Sequence, residues 1–419
     1  MGFIGQSKEK PYTVQGYKCN TQVLTLLNIG SAMFSVENFY YILYQHLLKP
    51  LNLQDTVYGK FGSVDPNDIT YGFYHKSENL YGKLLLAINS CYFIDQEPIQ
   101  ASCVEDLLDW TTSKHCKILV NSEISDLKKY LCRKHECQDW YYFFHGFAAL
   151  DWFRDGQYFD QQIDWTRPYI SLNRLHVNDR SYRLNLVARL QEKNLLPHGH
   201  VSLHLNHNEY GSWQQEINDP NTKLSATACQ LIAKHIPDPL ILDRENTTGD
   251  LSAAFGHQEF ELWKSGLWHI ITETVFYYNK LHLTEKIFKP IVAQRPFLLV
   301  AAPGNLAYLR SYGFKTFDTW IDESYDNIVD NDQRLQAIVD QVYKLCSLSD
   351  RELRIMHSEM MPVLEHNFKH LYGNFKQIIV NELVDNFETA IRLWNNGRVD
   401  DRQIALNIDL PSVKKLLLG

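Results

Sequence analysis

Glu273, Thr284, Glu285 and Lys286 are the residues of this chain whose types and spacing could do chemistry together. Glu273 closes an apolar run, Leu267 to Glu273 (LWHIITE), and the other three stand in Leu281 to Pro290 (LHLTEKIFKP). Downstream lie Arg295 to Val300 (RPFLLV) and Ala301 to Leu306 (AAPGNL). That order reads as strand, loop, helix, strand, loop, which is a parallel βαβ unit. Thr284 is placed to cap the helix, so free backbone N–H groups and a lysine point at whatever occupies the loop. A carboxylate that holds ribose hydroxyls, beside a lysine and a helix start that hold phosphate, makes a nucleotide site. The plainer alternative is that Glu285 and Lys286 decorate an exposed first turn; the two flanking strands weigh toward the nucleotide site. Pro290 falls inside the predicted helix, where it removes a backbone donor and kinks the axis.

The elements that must position these groups belong to an α/β chain. Thr70 to Tyr74, Lys83 to Asn89 and Lys117 to Val120 are largely apolar segments bounded by polar turns. Ser122-Glu123 follows the last of them and begins a helical stretch, Ile124 to Cys132, and Trp140 to His145 (WYYFFH) reads as a further buried strand. Ligands of open parallel sheets sit outside the carboxyl ends of strands, which singles out Glu123, His145 and Asp151. Tyr169 to Leu172 is a strand, Asn173 to Asp179 a polar loop, and Arg180 to Lys193 a helix with Tyr182, Leu186, Val187 and Leu190 on one face. Val201 to Leu205 completes a second βαβ unit. Asn206 to Ser225 and Arg244 to Phe255 read as polar, irregular loops. Pro303-Gly304-Asn305 makes a tight turn before a helix, Leu306 to Tyr312. Leu335 to Leu345 and Arg351 to His370 are helices, the second capped by Ser349-Asp350 and continued through Asn374 to Trp394. Asn395 to Gly419 reads equally well as docked or frayed.

Length and charge narrow the partners. A chain of 419 residues and 49.0 kDa suits two domains of similar size, here residues 1–166 and 167–345, followed by C-terminal helices and a tail at 346–419. The net charge of −8, from 41 basic and 49 acidic residues, argues against non-specific adhesion to nucleic acid or anionic membrane. No run of about 18 apolar residues occurs, so no membrane span is expected. Met1 to Pro11 is polar and lacks a hydrophobic signal core, which points to a cytoplasmic protein. Eight scattered cysteines fit reduced thiols. Cys132, His135 and Cys137 offer three metal ligands, but a structural zinc site needs about four in tighter pairs, and adding His115 or Cys116 requires the fold to bring them in. No Asp-x-Asp motif stands at a strand end, so metal-independent chemistry is expected.

The block from Glu273 through Thr284-Glu285-Lys286 resembles the donor-binding segment of the alpha-1,3-fucosyltransferase family and its inverting GT-B relatives. Their pattern is a strand ending in Glu-Asn-Ser, a short loop, Thr-Glu-Lys, a helix, and a strand ending near Gly. Thr274-Val275 stands here in place of Asn-Ser. The resemblance spans roughly forty residues. It implies a GT-B fold, with two Rossmann-like domains facing a cleft and C-terminal helices crossing back to the first domain. It also implies a nucleotide-sugar donor, no cofactor, and transfer to an acceptor hydroxyl with inversion. Lys286 and one of Arg174, Arg180 and Arg183 would then take the charge of the leaving diphosphate. The base would come from the N-terminal side, with Glu123 first because it follows a strand directly, and His145 and Asp151 as alternatives. The acceptor would be a glycan, a lipid-linked or small molecule, or a hydroxylated DNA base, since Thr284 to Phe317 looks more like bacteriophage-encoded relatives than animal enzymes. A non-catalytic nucleotide-binding scaffold that keeps the fold is the competing class.

Overall fold

The computed structural model describes residues 84–87, 90–95, 117–158, 165–173, 175–207, 211–240, 242, 257–396 and 409–418. All of them lie in one compact unit, Phe34–Leu418. The Thr70 to Tyr74 and Arg244 to Phe255 segments and Arg174 lie outside the described residues.

The first sheet has the order β1-β2-β3-β5, where β1 is Leu84–Ala87, β2 Ser90–Asp95, β3 Lys117–Asn121 and β5 Cys137–Tyr141. β1 and β2 pair antiparallel, whereas β2, β3 and β5 run parallel. Between β3 and β5 the chain makes a two-residue strand, β4 (Ile124–Ser125), and helix α1 (Asp126–Lys134). The helix starts two residues later than the sequence predicts because Ser125 is its N-cap, accepting from Lys128 N at 3.0 Å. The strand predicted over Trp140 to His145 also ends early, at Tyr141. Phe143 breaks it, and His145 stands in the first turn of α2 (Phe144–Trp152). An apolar run of this length fits a buried strand or a buried helix equally, and Ala148, Ala149 and Leu150 favour the helix.

The second sheet is wholly parallel, in the order β12-β10-β6-β7. β6 is Arg167–Asn173, β7 Gly199–Leu203, β10 Gly266–Thr272 and β12 Phe297–Val300. Every residue of β10 and β12 is buried, as expected of parallel strands covered on both faces. Gly266 is required where β10 meets β6, since a Cβ there would stand 2.8 Å from the backbone nitrogen of Ile170. β6 and β7 are joined through α3 (Tyr182–Glu192), which is buried from Tyr182 to Leu190. Its polar members are satisfied internally: Arg189 Nε donates to Asn185 Oδ1 at 3.0 Å, and Asn185 Nδ2 to Asp332 Oδ1 at 2.9 Å.

The stretch predicted as an irregular loop over Asn206 to Ser225 is partly regular. A small hairpin, β8 (Asn206–His207) with β9 (Gly211–Ser212), leads into α4 (Trp213–Asn218), which Ser212 and Gln215 close with a capping box. Helices α5 (Ala226–His235) and α6 (His257–Lys264) follow. Beyond β10 comes β11 (Lys280–Leu281), then a 3₁₀ turn, Glu285–Ile287, and α7 (Phe288–Val292). Thr284 caps the turn as predicted. The helix itself is far shorter than predicted, and Pro290 falls in the first turn of α7, where the missing N–H is tolerated. Gly304, at φ 84°, supplies the left-handed residue before α8 (Asn305–Ser311).

Three long helices close the fold: α9 (Asn331–Cys346), α10 (Asp350–Tyr372) and α11 (Phe375–Asn396). Ser349 and Glu352 cap α10 with a second capping box. α11 crosses back to the first sheet. Phe387 packs edge-on to Trp140 at 4.5 Å, and Asn386 Nδ2 donates to Tyr141 O at 2.8 Å. The tail docks as α12 (Leu410–Leu418), with Val413 and Leu417 buried and Lys376 Nζ donating to Leu418 O at 3.0 Å. Among the described residues no helix is long and apolar enough to cross a membrane.

Candidate functional site

The parallel sheet has a topological switch point. From β6 the chain winds to β7 on one side, then returns to β10 and β12 on the other. Ligands of such sheets bind outside the carboxyl ends of the two strands at the reversal, here β6 and β10. Glu273 follows β10 directly, so the sequence places its most suggestive carboxylate at this point.

Glu273 is fully buried and its carboxylate serves the protein itself. Oε2 accepts from Thr284 Oγ1 at 2.5 Å and from Thr274 N at 3.3 Å, while Oε1 accepts from Thr284 N at 3.2 Å. Its backbone carbonyl accepts from Tyr182 Oη at 2.6 Å. In this structure the protein's own donors, rather than ribose hydroxyls, face the carboxylate. It anchors the 3₁₀ turn to the end of β10, because Thr274 in place of Asn brings only a backbone donor and Thr284 supplies the other two.

The turn carries a continuous polar chain. Lys286 Nζ donates to Thr284 Oγ1 at 3.1 Å and to Glu285 Oε1 at 3.0 Å. The other oxygen of Glu285 lies 3.2 Å from His145 Nδ1, on the first turn of α2. Glu285 therefore does not decorate an exposed turn. Burial alone would raise its carboxyl, but Lys286, the hydrogen bond and charge of His145, and Lys289 outweigh that and hold it well below the usual carboxylate range. Solvent reaches this group through Lys286, whose side chain is 28% exposed against 5% for Glu285 and 7% for His145. α7 is too short to build a helix dipole, so the phosphate-attracting helix start that the sequence predicted reduces to Lys286.

Around this chain the loops of both sheets converge. The His145 and His282 rings lie perpendicular at 5.4 Å, and His282 Nδ1 is 3.2 Å from Ser122 O. Asn305 joins three segments, accepting from His282 N at 3.0 Å and donating to Lys280 O at 3.0 Å and Ala302 O at 2.8 Å. β4 and β11 pair antiparallel, placing Ser125 opposite Lys280. Across that pairing Lys280 Nζ lies 3.1 Å from Glu123 Oε2, and Ser125 Oγ donates to Glu123 Oε1 at 2.5 Å.

Several expected site residues are thus placed differently. Glu123, the first choice as a base, is fully buried and held in an ion pair with Lys280, so it presents no face to an incoming hydroxyl. Arg183 is buried, and its guanidinium donates to Leu175 O and Thr272 O, both at 2.9 Å. It holds the carbonyl end of β10 rather than offering itself to phosphate. Arg180 lies in the turn before α3, near enough to Tyr182 for its charge to lower that phenol against the rise from burial. Asp151 lies in α2, and Arg174 is outside the described residues. Of the cysteine cluster, Cys132 is buried in α1. Lys280, His282 and Asn305 were missed. His282, a polar residue between Leu281 and Leu283, carried the one local signal.

Comparison with protein-family models, with curated proteins and with solved structures finds no match to this chain.

Proposed function

We propose that the protein is a metal-independent glycosyltransferase that uses a nucleotide-sugar donor, with the donor's diphosphate at Lys286. One observation carries this reading. The end of β10 and the 3₁₀ turn bring Glu273, Thr284, Glu285 and Lys286 into one hydrogen-bonded chain, and the first turn of α2 sets His145 Nδ1 3.2 Å from the Glu285 carboxylate. Lys286 would take the leaving group's charge. Glu273 and Glu285 act as positioning residues, holding the turn and the ammonium in place. His145, oriented by the Glu285 carboxylate, replaces Glu123 as the candidate base. The reading brings with it a GT-B arrangement, with residues 1–166 on the acceptor side and 167–345 on the donor side. Inversion at the sugar follows from the same resemblance.

Nucleoside diphosphate release from a panel of nucleotide sugars tests this, with oligosaccharides, small alcohols and DNA bearing hydroxymethylated bases as acceptors. Release stimulated by one acceptor class, and reduced by about 100-fold or more in Lys286→Ala and His145→Ala, is the expected result. Release that is unchanged in both variants refutes the assignment. The burial of Glu123 favours a second reading, a non-catalytic nucleotide-binding scaffold. Tight nucleotide binding without turnover on any acceptor would select it.

A further inference from the structure

Arg295 has more donors than partners. It stands between α7 and β12, at the amino end of the parallel sheet and opposite the switch point, and is 1% exposed. Nη2 donates to Lys264 O at 2.9 Å, while Nε and Nη1 are buried without a hydrogen-bond partner. Burial lowers the guanidinium to about 10, so the charge persists at neutral pH. No carboxylate among the described residues pairs with it. Two other buried arginines are served differently: all three nitrogens of Arg334 reach carbonyl or amide oxygens, and Arg189 has Asp332, Asn185 and Gln336; Arg183 leaves only Nε without a partner.

The groups near Arg295 do not balance it. His269 Nε2 is 2.8 Å from Trp263 O, and burial with the charge of Arg295 holds this ring down at about 3. His357, on α10, is held at about 4 by the same two causes, and its Nε2 is also buried without a partner. Both rings are therefore neutral. Lys289, over the Trp263 ring at 4.9 Å, adds further positive potential. A water molecule would satisfy the donors and leave the charge uncompensated, whereas an anion does both. Trp165 packs on the His357 ring at 5.1 Å.

We propose that Arg295, with His357 beside it, binds a small monovalent inorganic anion of halide size within the protein. The anion accepts from Nε and Nη1 of Arg295 and from the neutral His357 ring. It thereby ties α10 to the start of β12 and, through Arg295, to the end of α6.

Thermal unfolding with sodium gluconate replaced stepwise by sodium chloride at fixed ionic strength tests this. The melting temperature is expected to rise by about 2–4 °C and to saturate. Bromide should act alike, and Arg295→Met and His357→Phe should abolish and weaken the effect respectively. Crystals soaked in bromide should give an anomalous peak within hydrogen-bond reach of Arg295 Nε and Nη1. Equal melting in chloride and gluconate throughout, stabilisation by acetate but not halide, or no peak at Arg295 would each overturn the assignment. Should Arg295→Met fail to fold, the wild-type titration and the bromide peak still decide.

Discussion

Glu123 and Lys280 form a buried ion pair between segments 157 residues apart, and its energetics separate a strut from a catalytic base. The Glu123 side chain is fully buried and that of Lys280 is 6% exposed, with 3.1 Å between Oε2 and Nζ. At that distance the attraction is about 5 kcal/mol for an effective dielectric of about 20, and the desolvation of two ions opposes it by several kcal/mol each. The net worth of the pair is therefore small, but removing one partner takes from the other its buried counter-charge. Glu123→Gln and Lys280→Met should each cost about 3–5 kcal/mol. The double variant should cost no more than about 2 kcal/mol, giving a coupling energy of about 4 kcal/mol or more. Urea unfolding reads this as a midpoint shift at constant slope. Single variants that cost under about 1 kcal/mol, or a double variant equal to their sum, would refute the reasoning. Turnover adds a second discriminant. A strut predicts that the restabilised double variant keeps its activity, whereas a base at Glu123 predicts that activity is lost with stability intact.

Further outcomes follow from the same geometry. Gly266→Ala should destabilise by about 1–3 kcal/mol in urea unfolding, since the added Cβ meets the Ile170 backbone, which cannot rotate away. Ser349→Ala should remove the α10 capping box and cost about 1 kcal/mol by the same measurement, without altering any ligand response. Glu382, raised to about 7 by burial although Tyr312 donates to it, should make stability pH-dependent. Its folded value lies above its unfolded value of about 4.3, so its contribution is full below about 4.3 and is lost as pH rises through 7. Glu382→Gln should flatten that slope by about 1–3 kcal/mol between pH 5 and 8, read from urea midpoints; an unchanged slope would contradict it.

The strands of the parallel sheet were legible because buried parallel strands are continuous apolar runs, as in LWHIIT and FLLV. Caps were legible too, since Thr284 and Ser349 act on residues two or three positions away. The end of β5 was not legible, because Trp140 to His145 carries no period that separates strand from helix. Neither was the pairing of β4 with β11, which is two residues long and wholly non-local. The grouping of Glu273, Thr284, Glu285 and Lys286 could be read locally, but not that Glu273 and Glu285 would face inward. A carboxylate's residue type does not say whether its partners are ligand hydroxyls or the protein's own donors. The same holds for Arg183, whose donors suit a phosphate and two backbone carbonyls equally well.

Thermal-shift binding tests the donor site at Lys286. Wild type and Lys286→Ala would be screened against nucleotide sugars and free nucleoside diphosphates. Lys286 neutralises the buried Glu285 carboxylate, so Lys286→Ala should melt below wild type when unliganded, and its ligand response is read as the shift from its own unliganded value. One nucleotide class should stabilise the wild type by several degrees, and Lys286→Ala should lose the response. Stabilisation by no nucleotide, or a response that survives in Lys286→Ala, would contradict it.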